Sequence, residues 1–137
     1  MSDKVILLVE DNRDDEELAV LAYERNRVAN KLVVARDGEE ALDYLTACAA
    51  LPEVVLLDLK LPKVDGLEVL RRLRADPRTR RLPVVVLTSS REDEDMLRSY
   101  DLGANSYVRK PVDFARFSEV MQQLQMYWLL VNEQPAV

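Results

Sequence analysis

Five short apolar runs, separated by longer stretches with helical spacing, constrain the fold of this 137-residue chain more than any other feature. The runs are continuous rather than alternating, and most are rich in β-branched residues, as is typical of strands covered on both faces. They are VILLV (5–9), KLVVA (31–35), VVLLD (54–58), PVVVL (83–87) and NSYV (105–108). Strand and helix therefore alternate five times. This order predicts an α/β fold in which right-handed crossover helices cover both faces of a parallel sheet.

Turn and capping residues mark the same divisions. Asp37 and Asp65 each precede a glycine at the predicted starts of the second and third helices, and Gly103 is expected to end the fourth. We therefore expect a single domain over residues 1–137, in which residues 126–137 form the end of the last helix and a tail.

Charge and composition argue against several classes of partner. The formal charge of −6 opposes binding to nucleic-acid backbones or anionic lipid, and we attribute the arginines of RRLRADPRTRR (71–81) to a solvated helix end and loop. No signal peptide or membrane span is recognisable, and Cys48 is the only cysteine, so we expect a cytoplasmic protein without membrane contact. The chain has no histidine, which removes histidine nucleophile pairs and histidine metal ligands.

Polar residues stand at the carboxyl ends of four predicted strands, where open parallel sheets bind ligands. They are Glu10 and Asp11 after the first strand, Asp58 at the end of the third, Thr88 at the end of the fourth and Lys110 after the fifth. Three carboxylates at one sheet edge repel one another unless a cation lies among them, and Mg²⁺ accepts such oxygens. A carboxylate held against Mg²⁺ beside a lysine and a threonine hydroxyl suits phosphoryl transfer, in which aspartate becomes an acyl phosphate.

Each of these residues also has an ordinary structural interpretation. Glu10 and Asp11 alone are equally consistent with helix capping and with metal binding. Thr88 alone is more typical of a structural residue, and Lys110 alone of an exposed one. Asp58 differs, because an ionisable side chain that ends the run VVLL is costly to bury without a partner.

If the sheet edge holds a metal site, the acids of the segment EDNRDDEE at 10–17 fall into two groups. Its first two acids belong to the site, whereas the four acids from Asp14 to Glu17 mostly start and solvate the first helix. Either Asn12 or Asp14 caps that helix, and negative charge in its first turn complements the helix dipole.

Four motifs, in this order and at these spacings, resemble the receiver domain of two-component response regulators over nearly the whole chain. The motifs are VED (9–11), LLDLKLPKVDG (56–66), VLTS (86–89) and YVRKP (107–111). The resemblance implies a flavodoxin-like (βα)5 three-layer sandwich with the strand order 2-1-3-4-5. It also implies that Asp58 accepts a phosphoryl group from a phosphohistidine on a sensor histidine kinase. Mg²⁺ is then held by Glu10, Asp11, Asp58 and the backbone carbonyl of Lys60.

The same resemblance assigns the remaining residues. Thr88 and Lys110 match the hydroxyl and the lysine that contact the phosphoryl group during transfer. Tyr107 matches the aromatic residue that turns inward as Thr88 moves, although it is also consistent with an ordinary edge-strand aromatic. The new charge is expected to switch the face formed by the fourth helix, fifth strand and fifth helix for protein binding. Because only a short tail follows the fifth helix, we expect a single-domain regulator. We expect it to catalyse only its own phosphorylation and dephosphorylation, and not to be an enzyme in any other sense.

Two further stretches, LTSSREDED (87–95) and MYWLLVNEQP (126–135), resemble single-domain regulators of bacterial and cyanobacterial phytochrome kinases. This narrower resemblance implies a bacteriophytochrome kinase as partner and a homodimer formed through the same face and the tail. Residues 127–131 are apolar nearly all round, more than one helix face can bury, which favours a partner surface. The alternative is a tail folded back on its own domain.

Two other functions are compatible with the same residues. An aspartyl-phosphate phosphatase would use Asp58 as its nucleophile, but such enzymes usually need a second acid two residues later, where this chain has Lys60. A scaffold that does not use the phosphorylation site has no need of the acidic cluster.

Overall fold

The computed structural model describes residues 4–25, 31–89, 92–110 and 113–124, over which five strands and five helices alternate. The strands are β1 (Val5–Val9), β2 (Lys31–Ala35), β3 (Val54–Leu57), β4 (Val84–Thr88) and β5 (Ser106–Arg109). The helices are α1 (Arg13–Arg25), α2 (Gly38–Ala47), α3 (Gly66–Ala75), α4 (Asp93–Asp101) and α5 (Phe114–Leu124). The predicted order of elements is confirmed, and each strand agrees with its apolar run to within one residue.

All five strands are parallel and form one sheet in the order β2-β1-β3-β4-β5, which confirms the flavodoxin-like arrangement. β1 lies between β2 and β3, so that Leu7 is paired with Val33 on one side and with Val55 on the other. Because the strands are parallel, their carboxyl ends share one edge. The strand order reverses at β1, so a crevice opens at that edge between the ends of β1 and β3.

The two faces of the sheet carry separate apolar clusters. One cluster joins the sheet to α2 and α3 through residues such as Leu45 and Leu70, and the other joins it to α1 and α5 through Ala22 and Phe117. Side chains of β1, β3 and β4 alternate between the two clusters, so these strands are buried on both sides and read as continuous apolar runs. Within the described ranges, no helix has the length and apolar character needed to cross a bilayer.

Side-chain caps begin four of the described helices, and at α5 the capping residue is Asp113, whose side chain accepts the backbone N–H of Arg116 at 2.8 Å. Asp37 and Asp65 each accept the backbone N–H of the third residue beyond, at 2.7 and 2.9 Å. Asn12, one of the two candidates for the cap of α1, accepts the backbone N–H of Asp15 at 3.0 Å. After α4, Gly103 adopts a φ of 93°, a left-handed conformation that glycine takes without strain.

Two arginines of segment 71–81 are structural, which corrects the expectation that the whole segment is solvated. The guanidinium of Arg74 donates to the carbonyl of Gly103 at 2.7 Å, and burial lowers the pKa of this group from its ordinary value. The guanidinium of Arg78 donates to the carbonyl of Cys48, just beyond α2. Both side chains therefore tie loops together at the edge of the sheet opposite the carboxyl ends of the strands.

α4 packs differently from the other helices. Among its described side chains, the buried ones are Asp95 and Ser99, and the Ser99 hydroxyl donates to the Asp95 carbonyl at 2.8 Å. Leu97 and Tyr100 are 65% and 49% exposed. α4 therefore turns two polar side chains inward and leaves Leu97 and Tyr100 exposed among its charged residues.

Candidate functional site

The carboxyl edge of the sheet brings together the residues that the sequence assigns to the site. Glu10 and Asp11 follow β1, Asp58 follows β3, Thr88 ends β4 and Lys110 follows β5. Of these, Asp11 is exposed, whereas the other four are at most 8% exposed. The local cause is similar in each case, since a parallel strand delivers its last residue, or the one or two residues after it, to the shared edge.

The ammonium group of Lys110 is the centre of a buried hydrogen-bond network. Its Nζ donates to Asp15 Oδ2 at 2.8 Å, to Asp58 Oδ2 at 3.3 Å and to Glu10 Oε1. A lysine ammonium has three donors, so the group is matched to three carboxylates. The backbone N–H of Lys110 also donates to the Thr88 carbonyl at 2.7 Å. The interpretation of Lys110 as an exposed lysine is therefore wrong.

This environment shifts the pKa of two of the buried groups. Burial raises the pKa of the Glu10 carboxyl to about 7; the hydrogen bond from Lys110 opposes the rise, and the charge of Asp58 adds to it. Burial alone would lower the pKa of Lys110, but hydrogen bonds to Asp15 and Glu10 and the charge of Asp58 raise it overall. Lys110 therefore keeps its positive charge, while Glu10 can exchange a proton near neutral pH.

Three carboxylates are close enough to share one metal ion. Oxygen atoms of Glu10, Asp11 and Asp58 all lie within 4.8 Å of one another. Such a set of oxygen donors fits a hard divalent cation, and Asp11 leaves the cluster open towards solvent. The acidic cluster is therefore suited to divalent-metal binding.

The loop after β3 is fixed around the Asp58 carboxylate. The backbone N–H of Lys60 donates to Asp58 Oδ1 at 3.2 Å, while Oδ2 accepts from Lys110. The Lys60 side chain points to α4, where its Nζ lies 3.7 Å from Asp95 Oδ2. Both carboxylate oxygens of Asp58 are thus oriented, one by a backbone amide and one by a positive charge.

Thr88 and Tyr107 lie on neighbouring strands. Thr88 is fully buried, and β4 and β5 are in register so that Val86 is paired with Tyr107. Tyr107 is half-buried against the cluster shared with α2 and α3, and its hydroxyl oxygen is buried. The ring therefore lies inward, whereas a coupled movement of Tyr107 and Thr88 stays a prediction.

Asp15 is the site residue that the sequence did not identify. The last four acids of the segment were expected mostly to start and solvate the helix, and the contact of Asp15 with Lys110 gives this one a place in the site as well. The sequence does contain a signal, because Asp15 precedes Ala19 and Ala22 by four and seven residues, and both alanines are buried. Asp15 therefore lies on the inward face of α1.

Comparisons with known proteins agree on one family. The model of the response regulator receiver domain matches residues 6–122. The probable methanogenesis regulatory protein FilR2 of Methanothrix harundinacea is 44% identical over 96% of this chain and 87% of that protein. Response regulator Rcp1 of Synechocystis is 36% identical, over 97% of this chain and 94% of that protein.

Solved structures extend this likeness to the fold. The phosphorylated cyanobacterial phytochrome response regulator RcpA has a TM-score of 0.88 and 38% identity, over 98% of this chain and 100% of that chain. The Mn²⁺-bound form of Rcp1 has a TM-score of 0.85 and 36% identity, over 97% and 99%. The bacteriophytochrome response regulator AtBRR has a TM-score of 0.78 and 52% identity, over 97% and 100%. The chain therefore belongs to the response regulator receiver-domain family, whose general function is to be phosphorylated by a partner histidine kinase, and it is related to the phytochrome response regulators.

Proposed function

We propose that Asp58 accepts a phosphoryl group from a phosphohistidine of a sensor histidine kinase, and that the chain, as one receiver domain over residues 1–137, signals through the resulting change. The observation that carries this proposal is the contact of Lys110 Nζ with Asp58 Oδ2, at 3.3 Å, inside the three-carboxylate cluster. A lysine beside a buried acceptor carboxylate is what a transfer to that carboxylate requires.

In the transfer, a carboxylate oxygen of Asp58 forms a bond to phosphorus, and the phosphorus–nitrogen bond of the phosphohistidine breaks. The bonding electrons remain on the imidazole nitrogen, which takes up a proton. Lys110 is near enough to Asp58 to donate a hydrogen bond to a phosphoryl oxygen on that residue. The hydroxyl of Thr88, at the end of the neighbouring strand, would donate a hydrogen bond to a second phosphoryl oxygen. Positioning and electrostatics then provide most of the catalysis.

We also propose that the divalent ion is Mg²⁺, held by Glu10, Asp11, Asp58 and the backbone carbonyl of Lys60. Support comes from the three carboxylates within 4.8 Å of one another and from the Mn²⁺-bound form of the relative Rcp1. When bound, the ion neutralises charge on the carboxylates and on the phosphoryl oxygens. The hydrogen bond from the Lys60 N–H to Asp58 keeps the proposed carbonyl ligand close to the cluster.

The proposed output surface is the face formed by α4, β5 and α5, which would also form a homodimer. Its support is the exposure of Leu97 and Tyr100 on α4, together with the position of Tyr107 on the adjacent strand. The tail predicted to take part in the dimer, residues 126–137, lies outside the described residues. The switch proposed for this face pairs Thr88 with Tyr107.

The kinase partner that we propose is of the phytochrome type. RcpA and AtBRR, which are phytochrome response regulators by name, are similar to this chain over nearly its full length. A nucleic-acid partner is not proposed, since the chain has a net charge of −6. A cytoplasmic location is supported by the single cysteine, Cys48, which suits a reducing compartment.

We do not favour a phosphatase that turns over external substrates. The position two residues after Asp58 holds Lys60, whose ammonium is directed to Asp95. That position therefore lacks the second carboxylic acid that such phosphatases use as general acid and base.

Phosphorylation by acetyl phosphate with Mg²⁺, followed by intact mass spectrometry, tests the proposal. We expect the wild-type chain to gain the mass of one phosphoryl group and Asp58→Asn to gain none. No gain in the wild type, or the same gain in Asp58→Asn, would overturn the assignment of Asp58. Transfer from a phosphorylated bacteriophytochrome kinase, compared with transfer from an unrelated histidine kinase, tests the partner separately.

A further inference from the structure

The contact between Asp15 and Lys110 is not explained by the roles assigned so far. Asp15 Oδ2 lies 2.8 Å from Lys110 Nζ, closer than Asp58 Oδ2 at 3.3 Å. The Asp15 side chain is 35% exposed, whereas that of Lys110 is 8% exposed, so the acid reaches inward from the rim of the site. Its backbone is fixed as well, because its N–H donates to the capping side chain of Asn12 at 3.0 Å.

Asp15 differs from the other two acceptors of Lys110. Oxygens of Glu10 and Asp58 belong to the cluster suited to a divalent ion, and Asp58 is also the proposed phosphoryl acceptor. Metal binding and phosphorylation therefore compete with Lys110 for both of these carboxylates. Asp15 is not in that cluster, so its hydrogen bond to Lys110 does not have to be given up.

We propose that Asp15 is a positioning residue that holds the Lys110 ammonium beside Asp58. It does so while the metal ion and the phosphoryl group engage the carboxylates of Glu10 and Asp58. The lysine ammonium is a compact charge on a flexible four-carbon stem, and a charge-assisted hydrogen bond restricts where it can lie. The inference rests on the proposed function, because it concerns the lysine that would contact the phosphoryl group.

A purely electrostatic role would have the opposite consequence. If Asp15 only added negative charge near the acceptor, removing that charge would favour arrival of the phosphoryl anion. Asp15→Asn and Asp15→Ala would then both accelerate phosphorylation. A positioning role predicts that the two variants differ, because the side-chain amide oxygen of the asparagine variant can still accept from Lys110 and alanine has no acceptor.

The experiment measures the rate of phosphorylation by acetyl phosphate in the presence of Mg²⁺. We expect Asp15→Ala to slow the reaction about tenfold or more, and Asp15→Asn to retain most of the rate. Asp14→Ala is the matched control: it removes the same charge from the exposed preceding residue, and we expect a rate within about twofold of wild type. Mg²⁺ affinity, measured by calorimetry, should remain close to wild type in Asp15→Ala.

A double-mutant cycle separates positioning from a general structural effect. In the Lys110→Ala background, Asp15→Ala should not slow phosphorylation further, because the ammonium group that Asp15 positions is no longer there. Three results would overturn the inference. They are a wild-type rate of phosphorylation in Asp15→Ala, acceleration by both Asp15 variants, and an equally large loss of rate on adding Asp15→Ala to Lys110→Ala.

Urea unfolding checks that Asp15→Ala folds. Asp15→Ser, whose side chain is too short to reach Lys110, should reproduce the slower phosphorylation. A wild-type chain that gains no phosphoryl group would instead contradict the proposed function.

Discussion

The backbone carbonyl oxygen of Asp58 faces the α-carbon of Gly66 so closely that a Cβ atom at Gly66 would lie 2.3 Å from it. The same Cβ would lie 2.6 Å from the α-carbon of Leu59, and the Gly66 N–H donates to the Leu59 carbonyl at 2.9 Å. The first turn of α3 is therefore in direct contact with the peptide that carries the proposed phosphoryl acceptor. Only a residue without a side chain allows this approach.

We expect Gly66→Ala to destabilise the fold by about 1–3 kcal/mol and to slow phosphorylation, because the Asp58 loop or α3 must move apart. Helix propensity alone predicts the opposite sign, since alanine is favoured over glycine in helices by about 1 kcal/mol. Urea unfolding and the acetyl phosphate reaction, measured on the same preparation, distinguish the two. If Gly66→Ala is more stable than wild type and is phosphorylated at the wild-type rate, the prediction is contradicted. The close contact between α3 and the Asp58 peptide would then matter neither for stability nor for phosphorylation.

The raised pKa of Glu10 predicts that divalent-metal affinity increases as the pH rises through about 7. Burial favours the neutral acid, whereas a metal ion requires the carboxylate, so binding below that pH must release a proton. Calorimetric Mg²⁺ titrations in buffers of different ionisation enthalpy measure this proton release. Release should fall to about half a proton at pH 7, disappear well above that pH, and be lost over this range in Glu10→Gln.

The same pKa has a consequence for stability without metal. Below pH 4.5 Glu10 is protonated both in the folded and in the unfolded chain, and its contribution to stability is fully present. Between pH 4.5 and about 7 the unfolded chain loses this proton while the folded chain keeps it, so the contribution is lost as the pH rises. We expect Glu10→Gln to gain stability relative to wild type across this interval in urea unfolding, with metal removed by chelation. A difference between the two proteins that is constant with pH would show that Glu10 ionises normally.

Chain order was sufficient to predict the shared sheet edge, because each acid or lysine directly follows an apolar strand and parallel strands end together. Asp15 was missed because its role depends on how α1 is rotated against the sheet, and several acids in a row hide that rotation. Arg74 and Arg78 were missed for a related reason, since a long arginine side chain finds carbonyl partners that are distant in sequence. The exposure of Leu97 follows from the burial of Asp95 and Ser99, which a search for apolar spacing does not detect.

Removal of the α2 cap should affect stability without affecting the site. Asp37 Oδ1 accepts the backbone N–H of Glu40 at 2.7 Å, so Asp37→Ala leaves a helix-terminal donor without this partner. We expect a loss of about 1 kcal/mol in the free energy of unfolding, with the Mg²⁺ affinity unchanged. Asp43→Ala, which removes an equal charge from an exposed position within α2, serves as control and should change stability by less than about 0.5 kcal/mol.

The acidic segment after β1 allows metal ligands to be separated from helix acids. Asp11 has a carboxylate oxygen within 4.8 Å of oxygens of Glu10 and Asp58. Glu16, on α1, instead accepts two hydrogen bonds from the guanidinium of Arg36, at 2.9 and 3.1 Å. Asp11→Ala and Glu16→Ala each remove one negative charge, so a diffuse acidic surface would lose affinity for Mg²⁺ about equally in both. We expect instead a loss of at least about tenfold in Asp11→Ala, because a direct ligand is removed, and a nearly unchanged affinity in Glu16→Ala. Calorimetric titration with Mg²⁺ and with Mn²⁺ makes the measurement, and equal losses in the two variants would contradict a site built from the three carboxylates.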